Sequence, residues 1–96
     1  MPDREKYSYT ARVLKAMAHH TRLYILDQLK EREHCVCELQ ELIDIDMSTV
    51  SRHLSVLREA GIISSRRVNN QIFYRLECPC VLDVYQCIVN KEGKNQ

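Results

Sequence analysis

Glycine occurs only at positions 61 and 93, proline only at 2 and 79, and tryptophan is absent. So little glycine and proline excludes a low-complexity linker, an internal repeat and a glycine-rich phosphate loop. No run of 18 apolar residues is present to span a bilayer, and the opening MPDREKYSYT is too polar for a signal peptide. The expectation is a cytoplasmic protein with no membrane partner. Its 96 residues would form one domain, 1–96, with flexible tails at 1–7 and 91–96. Strand–helix alternation and a nucleophile elbow are also missing, which leaves an enzyme or thiol-based redox carrier little support.

Against these absences stand five cysteines, at 35, 37, 78, 80 and 87, in two C-x-C pairs plus one. An odd count with such spacing, in a reducing compartment, argues for metal or redox chemistry over a disulfide framework. Charge is also uneven. Residues 1–46 carry 7 basic and 9 acidic side chains, residues 47–76 carry 5 and 1, and residues 77–96 carry 2 and 3. The middle third is the cationic part, as expected of a surface that meets a polyanion.

Apolar spacings of three and four from Ser8 to Ala18 predict a first helix. Thr21 can cap a second, RLYILDQLKE, whose Leu23, Ile25, Leu26 and Leu29 make a broad apolar face. In CVCELQELI the stripe Val36, Leu39, Leu42, Ile43 predicts a third helix of about two turns. The short polar DIDM then leads to Ser48, read as the N-cap of a fourth helix through TVSRHLSVLREA, with Gly61 ending it. Val50, Leu54 and Leu57 form its apolar seam. IISSRRV and QIFYRLE are β-type runs joined by Asn69 and Asn70, residues that tolerate a left-handed turn, and they predict a hairpin. Val81 to Val89 returns to helical spacing, apolar over more than one face, so part of that helix is expected to meet another subunit.

The expected fold is therefore mainly α with a small β-hairpin. Two helices joined by a tight turn and followed by a cationic hairpin make a winged helix-turn-helix, with five helices and the wing between the fourth and fifth. A helix fits the major groove, and arginines on a nearby ribbon neutralise phosphate.

The stretches AMAHHTRLYIL, HCVCELQELI, STVSRHLSVLREAGII and RRVNNQIFYRLE, in this order over about residues 8–90, resemble the ArsR/SmtB family of metal- and metalloid-responsive repressors. The resemblance implies a homodimer that sits on double-stranded operator DNA and leaves it when an ion binds, with no permanently bound cofactor. Carried over by position, Ser48, Thr49, Ser51, Arg52 and His53 lie where the family's recognition helix meets DNA. Arg66, Arg67, Asn69, Asn70, Gln71 and Arg75 occupy the wing.

Glu33 to Leu39 resembles the family's arsenic- and cadmium-sensing signature, which makes Cys35 and Cys37 the metal ligands; Cys78 and Cys80 read as a donor of the third ligand, as a separate site or as a redox pair. The resemblance favours As(III) or Sb(III) as inducer, with Cd(II), Pb(II) or Zn(II), or thiol oxidation or reactive sulfur, as alternatives. Where the arsenic-sensing form has a third cysteine, this chain has Gln40. An i, i+2 pair in a regular helix points its side chains about 200° apart. The expectation is that ion capture deforms the third helix beside the recognition helix. Cys87 reads as a small buried hydrophobe, and His34 as an exposed residue with a minor claim to ligation.

Overall fold

The computed structural model describes residues 2–94. The helices are α1 (Arg4–Met17), α2 (His20–Glu31), α3 (Val36–Ile43), α4 (Met47–Glu59) and α5 (Val81–Lys94). The strands are β1 (His34–Cys35), β2 (Ile63–Val68) and β3 (Gln71–Leu76). Winged helix-turn-helix architecture is thus present as expected, with one addition. The two-residue β1 pairs antiparallel with β3, His34 opposite Tyr74 and Cys35 opposite Phe73, to give a three-stranded sheet of order β1-β3-β2.

The fully buried side chains Ile25, Leu26, Leu39, Val50, Leu54, Leu57, Ile62 and Ile63 form one core beneath α4. The spacing of Val50, His53, Leu54 and Leu57 turns one face of α4 inward. Its end is fixed by glycine. Gly61, at φ 78°, donates its N–H to the Arg58 carbonyl at 2.9 Å while Ile62 N–H reaches Leu57 at 3.1 Å, a Schellman closure that a left-handed residue permits. The same φ sign recurs at Asn69 (58°), which turns the hairpin so that Val68 faces Gln71.

Several local expectations need correction. The cap of α2 is His19, whose Nδ1 accepts from Thr21 N–H, because the helix starts before Thr21. Asp46, not Ser48, caps α4, since the carboxylate two residues earlier accepts from Thr49 N–H at 3.0 Å and from both the Ser48 and Thr49 hydroxyls. Helices α1 and α5 reach into the segments read as tails. Leu42 lies exposed although its spacing matched the stripe of α3. Cys87 is exposed as well, on the outer face of α5, and His34 is buried.

Candidate nucleic-acid interface and its dithiol

Helices α3 and α4 are joined by Asp44–Asp46, and Asp44 closes α3 in the left-handed region (φ 60°), donating its N–H to the Gln40 carbonyl at 2.8 Å. Gln40 also donates from Nε2 to the Ile45 carbonyl at 2.9 Å, so this side chain stitches α3 to the turn. The residue that stands where a third thiol belongs in the arsenic-sensing form thus has a structural task.

Of the recognition-helix residues, Ser48, Ser51 and Arg52 are exposed and Thr49 is half-buried. His53 is not among the exposed residues. Only 6% of it is accessible, its ring lies 4.5 Å from that of His19, and its Nδ1 accepts from Arg22 Nε at 3.0 Å. At position 53 the α4 helix faces its own core, so this side chain supports the helix from behind and does not reach a groove. Burial, followed by the neighbouring charges of His19, Arg22, Arg52 and His20, pushes its pKa down from the ordinary 6.5.

A pH dependence follows. The folded state holds His53 neutral, so its contribution is fully present above the unfolded value near 6.5 and is lost as pH falls through the lower folded value. Denaturant midpoints should drop between about pH 7.5 and about pH 5.5, and His53→Gln should flatten that slope. An unchanged slope in the variant would remove His53 as the cause.

In the wing, Arg66, Arg67, Asn69, Asn70, Gln71 and Arg75 are all exposed. The arginines differ in what they already hold. Arg66 makes a two-point pair with Glu33, Nη2 to Oε2 at 2.7 Å and Nε to Oε1 at 3.0 Å, and Arg75 pairs with Glu77 at 2.8 Å. Arg67 and Arg52 have no hydrogen-bond or ion-pair partner among the described residues. These two guanidinium groups are free to meet an anion.

Cys35 and Cys37 are joined as a disulfide. Position 35 lies in β1 with extended backbone (φ −77°, ψ 159°) and serves as the N-cap of α3, so only Cys37 sits on helical backbone. The expectation that a regular helix holds the two sulfurs apart is thereby corrected, and no helix deformation is needed to bring them together. Cys35 is buried and Cys37 exposed. Around them, Glu38 accepts from Cys35 N–H at 3.1 Å and from Arg32 at 2.6 Å, and the arginine, then the backbone donor, hold its carboxyl down at about 2. His34 Nδ1, buried next door, lacks a hydrogen bond among the described residues and stands 3.6 Å from Glu38 Oε2.

The cysteine pair thus sits where the sheet, through β1, runs into the first helix of the helix-turn-helix. No third cysteine, histidine, aspartate or glutamate joins it in a metal-holding cluster among the described residues, so the donor set does not complete a three-sulfur ion site. β1 was missed in the sequence because a two-residue strand has no period; the only hint was that His34 precedes an N-capping position.

A helix-turn-helix with an exposed polar helix face and an adjoining cationic wing is the architecture of DNA-binding regulators. The family described as "Bacterial regulatory protein, arsR family" matches residues 19–65. The chain belongs to that family.

Among its relatives, the biofilm growth-associated repressor of Agrobacterium fabrum is 46% identical over 77 residues, 79% of this chain and 66% of that protein. The arsenic resistance transcriptional regulator ArsR1 of Pseudomonas putida is 43% identical over 65 residues, 67% of this chain and 51% of that one. The match thus spans between half and two thirds of these relatives' own length. The crystal structure of the transcriptional repressor BigR from Xylella fastidiosa superposes with a TM-score of 0.75 at 37% identity, covering 88% of this chain and 89% of that one. No helix among the described residues is long and apolar enough to cross a membrane.

Proposed function

We propose that the chain is a transcriptional repressor that binds double-stranded operator DNA as a homodimer in the cytoplasm, and that the oxidation state of Cys35 and Cys37 sets its occupancy. One observation carries the sensing part: the two sulfurs are bonded at the junction of β1 and α3. Ser48, Thr49, Ser51 and Arg52 face the major groove, while Arg66, Arg67, Asn69, Asn70, Gln71 and Arg75 lie along the backbone. Leu14, Val84, Ile88 and Val89, exposed together on α1 and α5, form the apolar face that the second subunit covers.

In the reduced protein two thiols face one another. A two-electron oxidant such as a hydroperoxide takes two electrons and two protons from them, leaving one S–S bond and releasing water and an alcohol. Closing that bond ties the end of β1 to the first turn of α3. The sheet and α3 shift relative to each other, and because a dimer must match two half-sites about one helical turn apart, both are spoiled together. A coupling of 1 to 3 kcal/mol corresponds to roughly 5- to 150-fold in affinity.

The test uses DNA selected from a random pool by the reduced protein. Oxidant should weaken binding of the native chain within that range and leave Cys37→Ser unmoved; an equal response from the variant sinks this reading. A second reading, capture of As(III), Sb(III), Cd(II) or Pb(II) by Cys35 and Cys37, is favoured by the similarity to ArsR1 and needs a donor from beyond the pair. Release by arsenite under reducing conditions, with no response to oxidant, would support it.

A further inference from the structure

Arg22, on α2, takes no part in the function above, yet its guanidinium joins two other helices. Its Nε donates to His53 Nδ1 on α4 at 3.0 Å, and its Nη1 donates to the Ala16 carbonyl on α1 at 3.2 Å. His19, in the corner between α1 and α2, lays its ring 4.5 Å from that of His53. Its own place is fixed by a backbone N–H donated to the Met17 carbonyl at 2.8 Å and by Thr21 N–H donating to its Nδ1 at 3.1 Å. Both contacts on His53 thus come from the α1–α2 corner.

The place of His53 gives these contacts leverage. Each residue of an α-helix turns about 100° from the last, so position 53 lies about 100° from Arg52 and about 200° from Ser51 on the same turn. Holding His53 fixes the rotation of α4 and with it the direction in which Ser51 and Arg52 point. The seam Val50, Leu54 and Leu57 holds the helix down, but apolar burial is non-directional, whereas a hydrogen bond weakens steeply off line. Packing does not replace the arginine fork either: beside it, α1 and α4 are parted by an open cleft of about 310 Å³ lined by Lys15, Ala16, Arg22, Val56 and Glu59.

We infer that Arg22 is a positioning residue for operator recognition: through His53 and Ala16 it ties the recognition helix to α1, a helix of the proposed subunit interface, and so sets the angle between the two reading helices of the dimer. The inference rests on the homodimer reading above. Ala16 lies two residues after Leu14 of that apolar face. Reading one half-site is the work of α4 and the wing, whereas matching two half-sites about one helical turn apart depends on how rigidly each α4 is fixed to the interface. Without the fork each α4 still reads its own half-site, and the pair accepts other spacings.

The probe is the DNA selected from a random pool by the reduced full chain, remade in two forms. One has a single base pair inserted between the half-sites, which turns one against the other by about 34°, and one is an isolated half-site. On the inserted DNA the native chain should lose on the order of 100-fold in affinity, because the second half-site no longer engages together with the first. Arg22→Met, which keeps the side chain's length without its donors, should lose about tenfold or less there and bind the isolated half-site as the native chain does. Arg22→Lys, which keeps the charge and one nitrogen, should fall between them, and it takes the place of Arg22→Met if circular dichroism shows that variant to have lost helix. The full native loss on inserted DNA in a variant of native helix content overturns the inference. So does an equal loss by the variants on all three DNAs, since Arg22 then only holds the fold. A native chain that selects no paired half-sites overturns the homodimer reading and this inference with it.

Discussion

Replacing Arg52 with alanine should lower affinity for the selected DNA by about 100-fold or more, with a much smaller loss on random DNA. The guanidinium is exposed on the outer face of α4, and no described side chain competes for it. A two-point contact to a guanine edge is worth about 1 to 3 kcal/mol of discrimination, and a homodimer makes it twice. Arg67→Ala provides the contrast. On the hairpin it is proposed to meet phosphate, so its loss should weaken all sequences alike and reduce the salt slope by about one per contact. Titrations at several salt concentrations on both DNAs separate the two. If Arg52→Ala loses equally on specific and random DNA, the residue neutralises phosphate and reads no base.

Leu54→Ala should destabilise the domain by about 2 to 5 kcal/mol. Leu54 is wholly inaccessible, within the core to which all five helices and the base of β2 contribute. Alanine leaves a cavity bounded by helices that cannot close over it without moving the recognition helix. Against a total of about 5 to 15 kcal/mol for a domain of this size, that is a large fraction. Leu54→Met, which keeps most of the volume, should cost less than about 1.5 kcal/mol. Denaturant midpoints at one fixed protein concentration make the comparison, since dimerisation would otherwise enter the result. A loss below about 1 kcal/mol for the alanine variant would mean that the core relaxes around the gap.

The fold was legible wherever a repeating pattern coincided with a terminator. Val50, Leu54 and Leu57 followed by Gly61 placed α4, and Asn69–Asn70 between two β-type runs placed the wing, because period and turn chemistry are local properties. What escaped depended on partners distant in sequence. β1 exists only because Tyr74 and Phe73 lie beside His34 and Cys35. His53 looked like its polar neighbours until the core side of α4 and Arg22 were in view. Leu42 fits the stripe of α3, but about half of it stays accessible among the described residues. Spacing and resemblance mark out the pair Cys35 and Cys37, whereas its geometry depends on α3 starting at Val36, one residue later than the periodicity predicts.

The pairing of Arg66 with Glu33 has a meaning for the proposed complex with DNA. A guanidinium that already holds a carboxylate has in effect brought its own counterion, fixed in place by the chain just before Cys35. Phosphate must displace that carboxylate before it gains the charge, so fewer mobile ions are freed than the number of wing arginines suggests. Stray polyanions are held less tightly, and a displaced Glu33 tugs on the strand that carries the thiol.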